Sequence, residues 1–208
     1  MPIYASILVC LACYFLGNHN GAVCVSAMLH DDVRNHGSGN AGLTNFIRNY
    51  GAASSILVIA TDVGKAYLAC MVGGGLLAPF GHEIAGRALG ALCVILGHDF
   101  PALLGFRGGK GILSGVTVGL CLDWRLGLLV FAIFLAAYLA THYVSLGSVL
   151  SSGSFGIFYA IFHWEQTFAV IVSLFLSGLI VWMHRDNIKR LLRGQERKTN
   201  LFGKGKQK

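Results

Sequence analysis

The chain has 208 residues, of which 55% are hydrophobic and only 12% charged, with a mean hydropathy of +0.65. Soluble domains average roughly 45–50% apolar and 25% charged residues. The shortage of charge and the long uncharged runs exclude an ordinary soluble domain and specify an all-α, polytopic membrane helix bundle.

Seven apolar runs follow in order: residues 3–29, 54–80, 87–104, 112–122, 125–141, 146–162 and 167–183. A helix needs about 20 such residues to cross a bilayer core. Residues 1–29 contain no Lys or Arg, so the first run lacks the basic start of a cleaved signal and reads as a membrane helix. Gly17-Asn18-His19-Asn20-Gly21 interrupts this run and predicts a kink or break. The fourth run has 11 residues, short for a crossing, so five or six crossings compete with seven. Gly111, Gly115 and Gly119 are spaced by four and read as a stripe for close helix packing. The six cysteines all lie in apolar runs and read as small buried hydrophobes. Cys10 and Cys13 have C-x-x-C spacing, but no second pair and no βαβ pattern accompany them, which argues against zinc or redox chemistry.

Seven crossings place residues 30–53, 105–111, 142–145 and 184–208 on one side. Those segments carry Arg34, Arg48, Arg107, Lys110 and nine basic residues after His184, against little more than Arg87 and Arg125 opposite. The positive-inside rule then puts the N-terminus outside and the C-terminus in the cytoplasm. The chain divides into a transmembrane domain, 1–183, and a cytoplasmic basic tail, 184–208. The tail's nine bases and two acids, Asp186 and Glu196, give +7, the net charge of the whole chain. Its first half predicts a short helix on anionic headgroups, with Ile188, Leu191 and Leu192 towards lipid. Its glycine- and lysine-rich end is expected to be disordered. Nucleic acid is the rival partner for a basic tail, and direct attachment to a membrane helix argues against it.

The polar segments RNHGSGNAGLTNFIR (34–48), GFRGGKG (105–111), THYVS (141–145) and HRDN (184–187) therefore share one face. Glycines let successive N–H groups line an anion-binding concavity, and helix N-termini add free donors. Arg and Lys supply full charge. Together they favour a phosphate over a carbohydrate or a metal. Gly37, Gly39 and Gly42 do have the G-x-G-x-x-G spacing of a dinucleotide turn. That turn needs a preceding strand and an acid roughly 20 residues on, and Asp62 at that distance falls in an apolar run. A P-loop fails too, because Lys110 stands five places after Gly105 and Gly111 occupies the hydroxyl position. No His-x-x-x-x-Asp, G-x-S-x-G or H-E-x-x-H pattern is present.

GSGNAGLTN (37–45), LGHDFPALLGFRGGKGI (96–112), YVSLGS (143–148) and HRDNIKRLLRGQE (184–196) resemble, in order and spacing, the motifs of the bacterial acyl-phosphate:glycerol-3-phosphate acyltransferases. The resemblance runs along almost the whole chain. It implies an inner-membrane enzyme with its active site facing the cytoplasm. Such an enzyme moves a fatty acyl group from acyl phosphate to the 1-hydroxyl of sn-glycerol 3-phosphate, giving lysophosphatidate and phosphate, the first step of phospholipid synthesis. By the same resemblance Ser38, Arg48, Lys110, Ser145, His184 and Asn187 bind and orient glycerol 3-phosphate. Asn40 and Asn45, which follow Gly37 and Gly39, brace the first loop. Gly108 and Gly109 offer N–H groups to the acyl phosphate. No metal, nucleotide, redox cofactor or protein general base is implied, and a phosphate oxygen of the acceptor takes the hydroxyl proton.

Plainer roles compete for several of these residues. Ser38 and Ser145 have the composition of helix caps, and Arg48 of a headgroup anchor. His184 and Asn187 are three apart and share a helix face. Asp62 and Lys65 read as a structural ion pair, and His98 and Asp99 as structural residues. The chain departs from the family at Gly17–Gly21, at Leu43, at Ser114 and in its long KTNLFGKGKQK extension. A transporter of an organic phosphate is the main alternative function. It lacks support in an inverted repeat or in polar residues at mid-membrane depth. An assembly protein acting through its tail is a further one.

Overall fold

The computed structural model describes residues 1–199, and among these every regular element is helical. The expected disorder of the tail's end falls on residues 200–208, outside the described residues.

Helices α1 (Ile3–Asn18) and α2 (Gly21–Met28) form the first apolar run and meet at an angle of 41°. The break sits where the Asn-His-Asn stretch predicts it. A helix end inside a membrane must satisfy its freed backbone groups with protein partners. Asn20 caps α2 by accepting from the Val23 N–H at 3.0 Å. The Gly21 N–H donates to Asp62 Oδ1 at 3.1 Å, and Lys65 Nζ donates to the His19 carbonyl at 2.9 Å. Asp62 and Lys65 are themselves paired at 2.8 Å and buried. One ion pair thus serves both sides of the break.

Helix α3 (Leu43–Tyr50) is short and follows the first glycine loop; α4 (Ala52–Leu77) and α5 (Glu83–Asp99) come next. The chain ends in α6 (Ile112–Leu122), α7 (Trp124–Thr141), α8 (Val144–Phe162), α9 (Thr167–Met183) and α10 (Arg185–Leu192). The core takes Val9 from α1, Cys70 from α4, Val94 from α5, Val118 from α6, Tyr159 from α8 and Leu176 from α9. Helices α4 and α5 meet backbone to backbone at Gly73 and Gly86, where a Cβ on either would lie 2.1 Å from the other's carbonyl oxygen. The stripe also packs closely: a Cβ on Gly115 would stand 3.0 Å from Ile180 Cδ1. All six cysteines are free.

Large apolar side chains such as Ile3, Ile56, Leu139 and Ile171 lie exposed on the outside, as a lipid-facing surface requires. Among the described residues four helices are long and apolar enough to cross a membrane, or up to six if each bent pair, α1–α2 and α9–α10, counts as one span. The fourth run is α6, whose 11 residues match the expected bounds. At 1.5 Å per residue it measures roughly 16 Å, about half of a bilayer core.

Candidate active site in the connectors

The first connector is organised by Asn45, buried in the first turn of α3. Its amide nitrogen lies 3.1 Å from the Val33 carbonyl, 3.0 Å from that of His36 and 3.1 Å from that of Asn40. Its oxygen accepts the Ser38 N–H at 3.0 Å. Gly37 and Gly39 take left-handed φ angles of 59° and 69° on either side of Ser38. Ser38 is exposed, and its hydroxyl has no hydrogen-bond partner among the described residues. Gly42 occupies the N-cap of α3, so Ser38 is not the cap of that helix. Arg34 ties this loop to the next connector by donating to the Leu104 carbonyl at 3.1 Å.

The second connector carries Lys110 between α5 and α6. Gly111 caps α6 in a left-handed conformation with no side-chain cap, leaving first-turn N–H donors of α6 open towards the connector. The Gly109 N–H donates to the His98 carbonyl at 3.0 Å. The Gly108 N–H has no such partner among the described residues, so it is the free donor of the two.

The remaining connectors meet Lys110. Its ammonium donates to Asn187 Oδ1 from the first turns of α10. Asn187 Nδ2 donates to Glu196 Oε1 at 2.7 Å, and Ser145 Oγ donates to the same oxygen at 2.9 Å. Arg190 Nε donates to Glu196 Oε2 at 2.7 Å. Tyr143 holds the N-cap position of α8, so Ser145 faces Glu196 from inside the first turn and is not the cap. Arg48 Nε donates to Thr199 Oγ1 at 3.1 Å and its Nη2 to the Arg197 carbonyl at 3.4 Å. Thr199 is pinned in turn, its N–H on the His142 carbonyl and its carbonyl on Tyr138 Oη, each at 3.0 Å. His184 Nδ1 lies 2.8 Å from the Ile180 carbonyl, which only accepts, so the proton sits on Nδ1 and Nε2 is an acceptor.

The charges respond to this crowding. Burial, then the nearby Arg190, lowers the Lys110 pKa below the ordinary lysine value. Burial pushes the Glu196 carboxyl up, but hydrogen bonds from Asn187, Arg190 and Ser145 outweigh it and hold the carboxyl below its usual range. Burial is the main reason the His184 imidazole is pushed down to about 4, so the ring is neutral at pH 7.

Lys110, Ser145 and Asn187 are therefore one cluster around Glu196, and Arg48 joins it through the strap of residues 196–199. His184 lies close enough to feel the charges of Lys110 and Glu196. Ser38, Gly37, Gly39, Asn40 and Asn45 form their own loop, joined to the second connector through Arg34 and Leu104. Glu196, Arg190, Thr199 and Arg34 were not among the expected site residues. Glu196 carried a signal: it is one of two acids among nine bases in the tail. Below the second connector, Ile95, Ile112, Gly115, Phe155, Leu176 and Ile180 line a narrow, partly open and mainly apolar slot.

A family model described as Glycerol-3-phosphate acyltransferase matches residues 7–194. A glycerol-3-phosphate acyltransferase of Thermoanaerobacter sp. (strain X514) is 41% identical over 194 residues, covering 93% of this chain and 95% of its own. The Clostridioides difficile (strain 630) relative of the same name is 37% identical, covering 95% of this chain and 97% of its own. Among solved structures, PlsY (YgiH), an integral membrane glycerol 3-phosphate acyltransferase in its glycerol 3-phosphate form, is similar with a TM-score of 0.85. It is 28% identical and covers 95% of this chain and 99% of its own. The lysphosphatidic acid form of PlsY gives a TM-score of 0.81. A cationic cluster drawn from distant connectors of a membrane bundle, matched by the family model over residues 7–194 and in fold over 95% of the chain, places this chain in the glycerol-3-phosphate acyltransferase family, as an acyltransferase.

Proposed function

We propose that the enzyme transfers a fatty acyl group from acyl phosphate to the 1-hydroxyl of sn-glycerol 3-phosphate at the cytoplasmic face of the bacterial inner membrane. The products are lysophosphatidate and inorganic phosphate. The observation that carries this reading is the convergence of Asn187, Ser145 and Arg190 on one carboxylate, with Lys110 held against Asn187 and Arg48 alongside. A set of donors that closes on one anion suits another, and glycerol 3-phosphate presents a phosphate of comparable donor demand.

Arg48, Lys110, Ser145 and Asn187 bind the acceptor's phosphate and hydroxyls, with Ser38 reaching in from its braced loop. His184 Nε2 accepts a hydroxyl hydrogen bond. With its pKa near 4 the ring is a weak base, which favours proton transfer to a phosphate oxygen of the acceptor. The Gly108 N–H and the open first turn of α6 face the acyl phosphate, whose chain runs into the apolar slot. An acyl phosphate is an activated anhydride, so holding two anions and an alcohol together supplies most of the catalysis; positioning can contribute roughly 7–11 kcal/mol. The C-terminal tail is cytoplasmic and the N-terminus outside. The meeting of all four basic connectors supports that topology, as does the Asp123–His163 pair at 2.8 Å between the α6–α7 and α8–α9 turns opposite.

Purified enzyme given palmitoyl phosphate and glycerol 3-phosphate is expected to release phosphate and form lysophosphatidate. Turnover with palmitoyl-CoA in place of palmitoyl phosphate would refute the assigned donor.

A further inference from the structure

His98 is buried at the end of α5 and is not one of the anion ligands. It nevertheless grips the Lys110 loop twice. Its carbonyl accepts the Gly109 N–H at 3.0 Å. Its ring abuts the same residue from the side, for a Cβ on Gly109 would lie 2.1 Å from His98 Nε2. The next residue repeats the contact: a Cβ on Gly111 would lie 3.2 Å from Asp99 Oδ1. The two glycines flanking Lys110 thus rest on two consecutive side chains of α5.

The ring itself is fixed from below. Lys65 Nζ lies 2.8 Å from His98 Nδ1, and an ammonium only donates, so Nδ1 accepts and the proton stands on Nε2. Lys65 is anchored by Asp62 at 2.8 Å and by the His19 carbonyl at 2.9 Å. A continuous file of contacts runs from the break between α1 and α2, through Asp62, Lys65 and the imidazole, to the glycine before Lys110.

Resting on the functional reading above, we propose that His98 is a positioning residue of the acyl transfer. Its ring is the strut that sets the height of Gly109, and through it the place of the Lys110 ammonium and the Gly108 N–H. It touches neither substrate. Gly109 is required because the imidazole fills the space of a side chain there.

A double-mutant cycle tests this, run with whichever of palmitoyl phosphate or palmitoyl-CoA the wild-type enzyme uses. The choice of donor tests the functional reading, and the cycle tests the strut. His98→Asn keeps an oxygen beneath Lys65 and removes the part of the ring that reaches Gly109. Gly109→Ala places a methyl against Nε2 and is expected to lower kcat/KM for the donor by about 100-fold, as a shift of roughly 1 Å does. In His98→Asn/Gly109→Ala the methyl enters the vacated space, and kcat/KM recovers by at least about tenfold over Gly109→Ala alone. A residue that merely stabilised the ion pair would not be rescued in this way, and losses that simply multiply would overturn the proposal. Near-normal turnover by Gly109→Ala alone would overturn it too, whether or not the His98 variants fold.

Discussion

Ser145 and Glu196 share a 2.9 Å hydrogen bond across 51 residues of sequence. That bond joins the start of α8 to a strap beyond α10. Asn187 and Arg190 converge on the same carboxylate, so the geometry of this cluster depends on the strap being in place.

Glu196→Gln should therefore loosen the cluster. Hydrogen bonds to a charged group contribute about 1.5–3 kcal/mol; Arg190 is partly exposed, and the loss expected after screening is about 1–2 kcal/mol. The pH dependence has a definite sign. The folded carboxyl titrates below its unfolded value, so its stabilisation is complete above the ordinary glutamate pKa of roughly 4.3 and disappears as pH falls through the lower folded value. Thermal unfolding in detergent should show an acid-labile increment in the wild type that Glu196→Gln lacks. Identical melting of the two proteins at pH 7 would contradict this role.

Lys110→Ala should remove turnover by about 100-fold or more while the protein still melts cooperatively. The ammonium has to be charged to hold an anion, and burial lowers its pKa. The alkaline limb of kcat/KM for glycerol 3-phosphate should then begin below the ordinary lysine pKa of roughly 10.4. It should move upward in kcat, because a bound phosphate favours the charged form. A flat profile up to pH 10 would tell against Lys110 as the anion's partner.

Gly115 stands on the wall of the apolar slot, 3.0 Å from Ile180 Cδ1 at the point where its Cβ would be. Gly115→Leu should narrow the slot and exclude distal methylenes, each worth about 0.8 kcal/mol of burial. The ratio of kcat/KM for lauroyl phosphate over palmitoyl phosphate should rise by about tenfold, corresponding to two methylenes. An unchanged ratio would place the acyl chain elsewhere.

Lys65→Met leaves Asp62 charged, buried and without its partner, and takes the donor away from the His19 carbonyl. Breaking one half of a buried pair typically costs about 3–5 kcal/mol. The double change Asp62→Asn/Lys65→Met should unfold less readily than Lys65→Met, because no lone charge remains. The reverse order of stabilities would show that the pair is not a unit.

Much of this architecture is legible in the sequence, because hydropathy in a membrane chain is a strong signal. The seven apolar runs correspond to helices, and the Gly17–Gly21 break and the α10 helix stand where composition indicates. Asp62 and Lys65 are legible as a pair because two opposite charges one helical turn apart in an apolar run have few other solutions. What they hold together is not legible, since it depends on which backbone groups the break leaves free. The partners of Ser145 and Arg48 are hidden for a similar reason. Glu196 and Thr199 follow the last helix in a segment with no periodicity, and only the turn of 55° between α9 and α10 brings that segment back over the site. The glycines around Lys110 show in the sequence as a flexible loop. In the structure Gly109 and Gly111 are packed onto His98 and Asp99 and have little room to move.

Helix α6 runs for only 11 residues between Gly111 and Asp123. A rod of that length falls short of the distance between the two headgroup layers. In a bilayer, one polar end of it, with the lysine loop attached there, would be drawn beneath the level at which lipid phosphates lie. For the proposed reaction, that depth would let a water-soluble acceptor come down from the aqueous side and a lipid-dissolved donor come in sideways from the leaflet. Neither reactant would then have to leave the phase it prefers in order to meet the other.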